Sequence, residues 1–199
     1  MTTLPAVTGP TTDVPEKDRS QRILDAVVTL LSRQGISGVS IRAVAREAGV
    51  ASGLVGYYFA DKTELIRAAL RRIEEEDVAL VTPASRASPE AQLRAALRRV
   101  AKPEFLTTEY LSLRLQLWSL AQAHEDYARI NIEAQVRYRD GLAALIRAAR
   151  PDLARTECAR RAADVDVVQN GLWLTALLGL DRASQRRAVA RCEAIAFAP

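Results

Sequence analysis

One histidine, His124, and two cysteines, Cys158 and Cys192, are all that 199 residues offer to soft-metal or thiol chemistry. They stand too far apart along the chain for a metal-ligand spacing, and no nucleophile–base set or phosphate-cradling glycine loop accompanies them. That argues against an enzyme and implies no metal and no cofactor. If the chain turns back as a helical hairpin near Leu180, the two thiols lie roughly 20 Å apart at 1.5 Å per residue, beyond disulfide reach. Long apolar runs are missing as well. None reaches the roughly 18 residues that a membrane span needs, and no basic-then-apolar leader opens the chain. The expectation is a cytoplasmic protein with no membrane partner. Strong charge of one sign is also lacking, because 28 basic residues nearly cancel 24 acidic ones, for a net +4. Attraction to phosphate must therefore come from local placement of charge. With 49% hydrophobic residues, the chain has enough apolar material for a packed core.

The stretch Ser40–Phe59, SIRAVAREAGVASGLVGYYF, carries the most information. Ser40 is placed to cap a helix, since its hydroxyl can accept from a first-turn amide. Ile41, Val44, Ala45 and Ala48 follow with the i, i+3, i+4, i+7 spacing of one buried face. Gly49 can take the left-handed conformation that ends a helix. A second helix then spans Ala51–Tyr58, with Leu54, Val55 and Tyr58 inward. Two helices joined by a short glycine-containing turn form a helix-turn-helix, whose second helix enters the DNA major groove.

Upstream, Ile23, Leu24, Val27, Leu30 and Leu31 give a helix from about Arg19 to Gln34, stopped by Gly35. Downstream, Asp61-Lys-Thr-Glu64 has capping-box spacing and opens a helix to about Val81. Its acidic run, Glu74 to Asp77, reads as a solvated face. In this order, from the first helix through SIRAVAREAGV and YYF to DKTEL, the chain resembles the TetR family of transcriptional regulators. The resemblance covers Arg19 to about Leu70.

That resemblance implies an all-α fold. A three-helix helix-turn-helix head is joined to a C-terminal helical bundle that binds a ligand and dimerises. The expected division is a disordered, Pro- and Thr-containing tail at 1–18, a DNA-binding unit at 19–80 with its helix-turn-helix at 40–59, and a ligand and dimer unit at 81–199. Arg42, Ser52 and Tyr57 are the candidates for base edges, and an arginine on guanine is the strongest single contact. Ser40, Tyr58 and Lys62 are the candidates for phosphate. Arg22 is a further possible phosphate contact, with a solvated charge as the alternative. Two departures from the family pattern stand out. Ala51 replaces the usual Ser or Thr cap, leaving Ser52 to cap one residue late. Gly56 stands where a Tyr commonly meets the DNA backbone. Gly53 and Gly56 each cost roughly 1 kcal/mol of helix propensity against Ala. Either close approach of DNA to the backbone or simple tolerance by a packed short helix accounts for them.

The remaining chain reads as helices. Thr82–Pro89 is a Pro- and Ser-rich boundary. Ser88 and Pro89 form an N-cap and N1 pair opening a helix to about Ala101. Thr107–Ala123 alternates its leucines as a strand would, but it is Leu-rich, not β-branched, and is assigned as a helix apolar on two faces. Asp126–Ala149 is a further helix. Asp152 or Thr156 opens the next, to about Leu180, and Ser184–Phe197 is the last. The last two helices carry more apolar surface than one subunit covers, so a homodimer through them is expected, as in the family. GLWL and the Trp118 region resemble the BetI-like branch. Tyr110, Arg114, Trp118, Asn170 and Trp173 are the candidate ligand residues. Trp118, Trp173, Tyr110 and Tyr127 could form an aromatic cage for a quaternary ammonium.

The functional expectation is a ligand-responsive repressor that binds a palindromic double-stranded DNA operator as a dimer and is released by a small-molecule effector. Two alternatives stay open at this level. One is an activator or co-regulator of the same fold without ligand release. The other is a helical small-molecule-binding protein with a weakened DNA-binding head.

Overall fold

The computed structural model describes residues 16–83, 86–179 and 181–199. The expected tail lies outside the described residues over 1–15, as do positions 84 and 85 of the Pro- and Ser-rich boundary. Among the described residues every regular element is helical: α1 Glu16–Gly38, α2 Ile41–Ala48, α3 Ser52–Tyr58, α4 Lys62–Ala79, α5 Pro89–Arg99, α6 Thr108–Ala123, α7 Glu125–Ala149, α8 Arg155–Leu177 and α9 Arg182–Phe197. A 3-10 turn at Pro103–Phe105 joins α5 to α6. The alternating leucines of α6 are thus helical, as their lack of β-branching predicts.

Local chemistry sets most boundaries. Ser40 accepts from the Ala43 amide and starts α2, and Gly49, at φ 65° and ψ 38°, ends it with its N–H returned to Ala45 and Arg46 carbonyls. Asp61 accepts from the Glu64 amide. Glu64 reaches back to the Ala60 amide at 2.7 Å, one residue before the partner of the standard capping box. Ser88 caps α5 with Pro89 at its first turn. Gly35, at φ 67°, breaks α1 after Gln34, so only a turn continues to Gly38. α1 opens at Glu16, three residues ahead of the expected start.

Three expectations need correction. Ser52 does not cap α3; it is the first helical residue, Ala51 is the cap position, and no side chain satisfies the first turn. Neither Asp152 nor Thr156 opens α8, whose cap position is Ala154. Its expected end, Leu180, lies outside the described residues, and α8 stops at Leu177.

Two core clusters share the molecule. The first joins Ile23, Val27, Leu31, Val44 and Val55 of α1–α3 to Leu65, Ile66 and Leu70 of α4, and it takes in Leu113, Leu117 and Leu120 of α6. The second joins Leu93 and Leu97 of α5 to Leu142, Ile146, Val165 and Trp173, with Leu111 from α6. α6 therefore belongs to both, which is what its two apolar faces require. Each fully buried Leu, Ile or Val contributes about 1.5–3 kcal/mol of transfer free energy. Single well-placed bonds tie the clusters to their helix ends: Arg99 donates to the Leu80 carbonyl at 2.9 Å, and the Trp173 indole donates to the Val100 carbonyl at 2.9 Å. Both cysteines are buried free thiols, and burial pushes the Cys192 thiol up to about 12.

Apolar side chains left outside these cores include Leu115 on α6, Ile132 and Val136 on α7, and a row along α8. Val167 is 71% exposed and Leu178 79%, with Leu174 also exposed. Together with Gly171 they repeat at i, i+4, i+7, i+11, one continuous face. On α9 the exposed side presents Arg182, Arg186, Arg187 and Arg191 together with Ala190 and Ala194, while Cys192 and Ala196 turn inward.

Candidate nucleic-acid interface and buried polar cluster

On α3 the outward positions are Ser52, Gly53, Gly56 and Tyr57, opposite the buried Val55. One apolar anchor per two turns leaves the rest of this short helix free to face a partner. Tyr57 is 75% exposed, and its ring stands edge-on to Tyr58 at 5.3 Å. Tyr58 is half-buried against the first core, so its body supports α3 while α2 and α4 flank it. A Cβ added at Gly53 or Gly56 meets nothing within 4 Å. No packing inside the chain therefore demands glycine at either position.

Arg42, on the first turn of α2, is exposed and makes no hydrogen bond or ion pair with any described residue. Ser40 is exposed, and its oxygen already accepts from the Ala43 amide at 3.1 Å, which leaves its O–H to donate outward. Two cations also close helix ends within the head. Lys62 donates to the Ile36 carbonyl at 2.8 Å, closing the end of α1 onto the start of α4. Arg22 donates to the Ala48 carbonyl at 2.9 Å and closes the end of α2. Arg22 thus braces α1 against α2 while its side chain stays exposed, so further guanidinium N–H groups still face outward.

The body contains a second feature that the sequence reading missed. Glu74 and Asp77 were expected on a solvated face, yet both are buried. Only Glu75 and Glu76 of the acidic run face outward, paired with Arg137 and Arg72. The signal was present in the spacing. Ile66, Leu70, Ile73 and Asp77 continue one stripe at i, i+4, i+7, i+11, and Glu74 lies beside it.

Inside, Asp77 pairs with the buried Arg114 guanidinium and accepts from the Tyr110 hydroxyl at 2.7 Å. The guanidinium lies over the Trp173 ring at 4.5 Å and near the Trp118 ring at 5.4 Å. From α7, the Tyr138 hydroxyl donates to Gln169 at 2.7 Å. On α8, Asn170 donates to Asp166 at 3.0 Å. Burial raises the carboxyls of Glu74 and Asp166 above their usual range, against the opposing pull of nearby guanidinium groups. Burial pulls Arg114 below its usual value, opposed by the charge of Glu74. Burial likewise raises the Tyr110 and Tyr138 hydroxyls.

A small cavity of about 10 Å³ is lined by Glu74, Asp77, Arg114, Asp166, Gln169 and Trp173, among others. Arg114, Asn170 and Trp173 therefore meet there, as a ligand set would. Trp118 lies on a neighbouring cavity with Arg114 and Trp173, and Tyr110 reaches the cluster through its bond to Asp77 and edge-on against the Trp173 ring at 6.1 Å. Tyr127 does not join them. It is buried in the first core, edge-on to His124, so a cage of all four aromatics cannot form.

Comparison with known proteins places this geometry. Residues 23–69 match the model of the bacterial regulatory proteins of the tetR family. Residues 89–196 match the model of the C-terminal region of BetI-type transcriptional repressors. The transcriptional regulator BetI of Paraburkholderia phymatum is 29% identical over 168 residues, covering 82% of this chain and 83% of its own. Among solved structures, a putative transcriptional regulator from Pseudomonas aeruginosa superimposes with TM-score 0.79 at 23% identity, covering 92% of this chain and 91% of that one. A putative regulator from Saccharomonospora viridis, solved in complex with choline, gives TM-score 0.72 at 21% identity, covering 92% and 98%. Among the described residues no helix is long and apolar enough to cross a membrane.

Proposed function

The chain belongs to the TetR family of DNA-binding transcriptional regulators, with a BetI-type C-terminal region, and from that premise we propose that it is a cytoplasmic homodimeric repressor. Residues 19–80 read DNA, and residues 81–199 bind an effector and a second copy. The observation that carries this reading is the pairing of the Ser40-capped α2 with α3, which turns unpaired Arg42 and exposed Ser52, Gly53 and Tyr57 outward. Arg42 and Tyr57 reach base edges. Ser40, Tyr58 and Lys62 hold the backbone phosphates, which set register. A two-fold dimer then reads two half-sites about 34–36 Å apart, or a multiple of that. The bare face of α8 is the surface that the second copy covers.

The mechanical link is α4. Lys62 joins its first turn to the head, and Asp77 joins its last turns to Arg114 in the body, about 22 Å away at 1.5 Å per residue. An effector that changes the contacts of Glu74 and Asp77 changes where the head sits. By linkage, DNA weakens effector binding by the same factor that effector weakens DNA binding.

The test is a fluorescence-polarisation titration on the gene's own upstream DNA and on a scrambled control, at two salt concentrations. Saturable binding of two subunits per site, far tighter than the control, is expected. Equal weak binding to both probes, lost with added salt, would leave only charge attraction and sink the operator reading.

A further inference from the structure

The buried cluster is short of positive charge and short of hydrogen-bond acceptors in one place. Glu74, Asp77 and Asp166 face a single internal cation, Arg114. One Asp77 oxygen accepts from Tyr110 and the other meets Arg114 as an ion pair, and Asp166 has only the Asn170 amide. Glu74, 5% exposed, has no hydrogen-bond partner among the described residues. The Gln169 amide is 1% exposed. Its oxygen is taken by Tyr138, while its NH₂ is buried with no acceptor. The Arg114 Nε–H is in the same position. Native interiors satisfy such groups, and each exception needs an explanation. The carboxylates do not converge as a metal-holding group among the described residues. The Trp173 face that would attract a quaternary ammonium is already met by the Arg114 guanidinium, which also stands near Trp118.

Resting on the regulator reading above, we propose that the effector is a small primary or secondary amine that also carries an acceptor oxygen, bound between α4 and α8. Its ammonium N–H groups donate to Glu74 and Asp166, and its oxygen accepts from the Gln169 NH₂. An N–H donor is required because carboxylates bury their charge well only against hydrogen-bonding cations. A trimethylated nitrogen offers none. The cavity, about 10 Å³, has the size of one water-sized sphere, so binding displaces its walls. One of those walls is α4, and the site therefore acts on the head directly.

Ethanolamine and choline separate the two chemistries, since they share a hydroxyl and differ in N–H against N–CH₃. Ethylamine lacks the hydroxyl, and ethylene glycol lacks the charge. Each is added at millimolar concentration to the full-length protein, with thermal melting and promoter-DNA titration read in parallel. Ethanolamine is expected to raise the melting temperature and weaken DNA binding at least tenfold. Choline, ethylamine and ethylene glycol should each be at least tenfold less potent. Glu74→Gln should abolish the ethanolamine effect, measured against that variant's own DNA affinity. Glu75→Gln, an equal charge change on the exposed neighbour, should keep it. Choline matching or exceeding ethanolamine, or no response to any of the four while DNA binding is intact, would overturn the amine site. Absence of specific DNA binding before any addition would instead overturn the regulator reading.

Discussion

Arg114→Met tests the buried charge cluster most directly. The substitution removes the buried cation set among Glu74, Asp77 and Asp166, leaving Asp166 the charge of Arg139, while keeping a side chain of similar length against Trp173 and Trp118. Breaking a buried ion pair by removing one partner costs about 3–5 kcal/mol. For a chain of this size that corresponds to a fall in melting temperature of roughly 6–20 °C. Asp77→Asn should cost less, because Arg114 then keeps the charge of Glu74 and Asp166 nearby. The sign of the pH dependence follows from the carboxyls. Burial already raises Glu74 and Asp166 above the usual range, and Arg114 opposes it. Without Arg114 both rise further, so the folded variant holds protons that the unfolded chain releases. Its stability therefore falls as pH rises from the ordinary carboxyl range through the raised values. Melting curves from pH 5 to 8, at fixed protein concentration because the proposed dimer would make melting concentration-dependent, should show a gap to wild type that widens with pH. A gap constant over that range, or below about 1 kcal/mol at pH 7, would refute the view that Arg114 compensates buried charge.

Glu74→Gln should be more stable than wild type at pH 8 and indistinguishable near pH 4.5, since it removes a carboxyl whose burial raises its pKa; the same melting series reads it. Gly56→Ala should stabilise α3 by up to about 1 kcal/mol, because the new methyl meets nothing in the free protein. If DNA approaches the backbone there, operator affinity falls despite that gain, and polarisation titration separates the two. Lys62→Ala should weaken binding to every DNA sequence alike and lower the salt slope by about 1. It also loses the bond to the Ile36 carbonyl, so a small drop in melting temperature accompanies it. Leu178→Glu, on the bare face of α8, should leave monomer stability within about 0.5 kcal/mol while sedimentation shows loss of the dimer.

What the sequence determined by itself is the local structure and the exposed face of the head. Ser40, Gly49, Asp61, Ser88 and Pro89 set helix ends through bonds spanning only a few residues, and the stripes of α1 and α2 follow from the 3.6-residue period. Both are legible because cause and effect are neighbours in the chain. Arg42 and Tyr57 were legible for the same reason, as positions opposite a buried stripe. The resemblance to the family added what these residues are for. Only the tertiary structure decided the rest. Lys62 meets Ile36 across 26 residues, Asp77 meets Arg114 across α4 and α6, and Tyr127 goes to a different core from Trp173. The spacing already put Asp77 on the inward stripe of α4, and the tertiary structure supplied the guanidinium that meets it there. A charged side chain enters a core only where a partner waits on another helix, and that partner's position is fixed by packing.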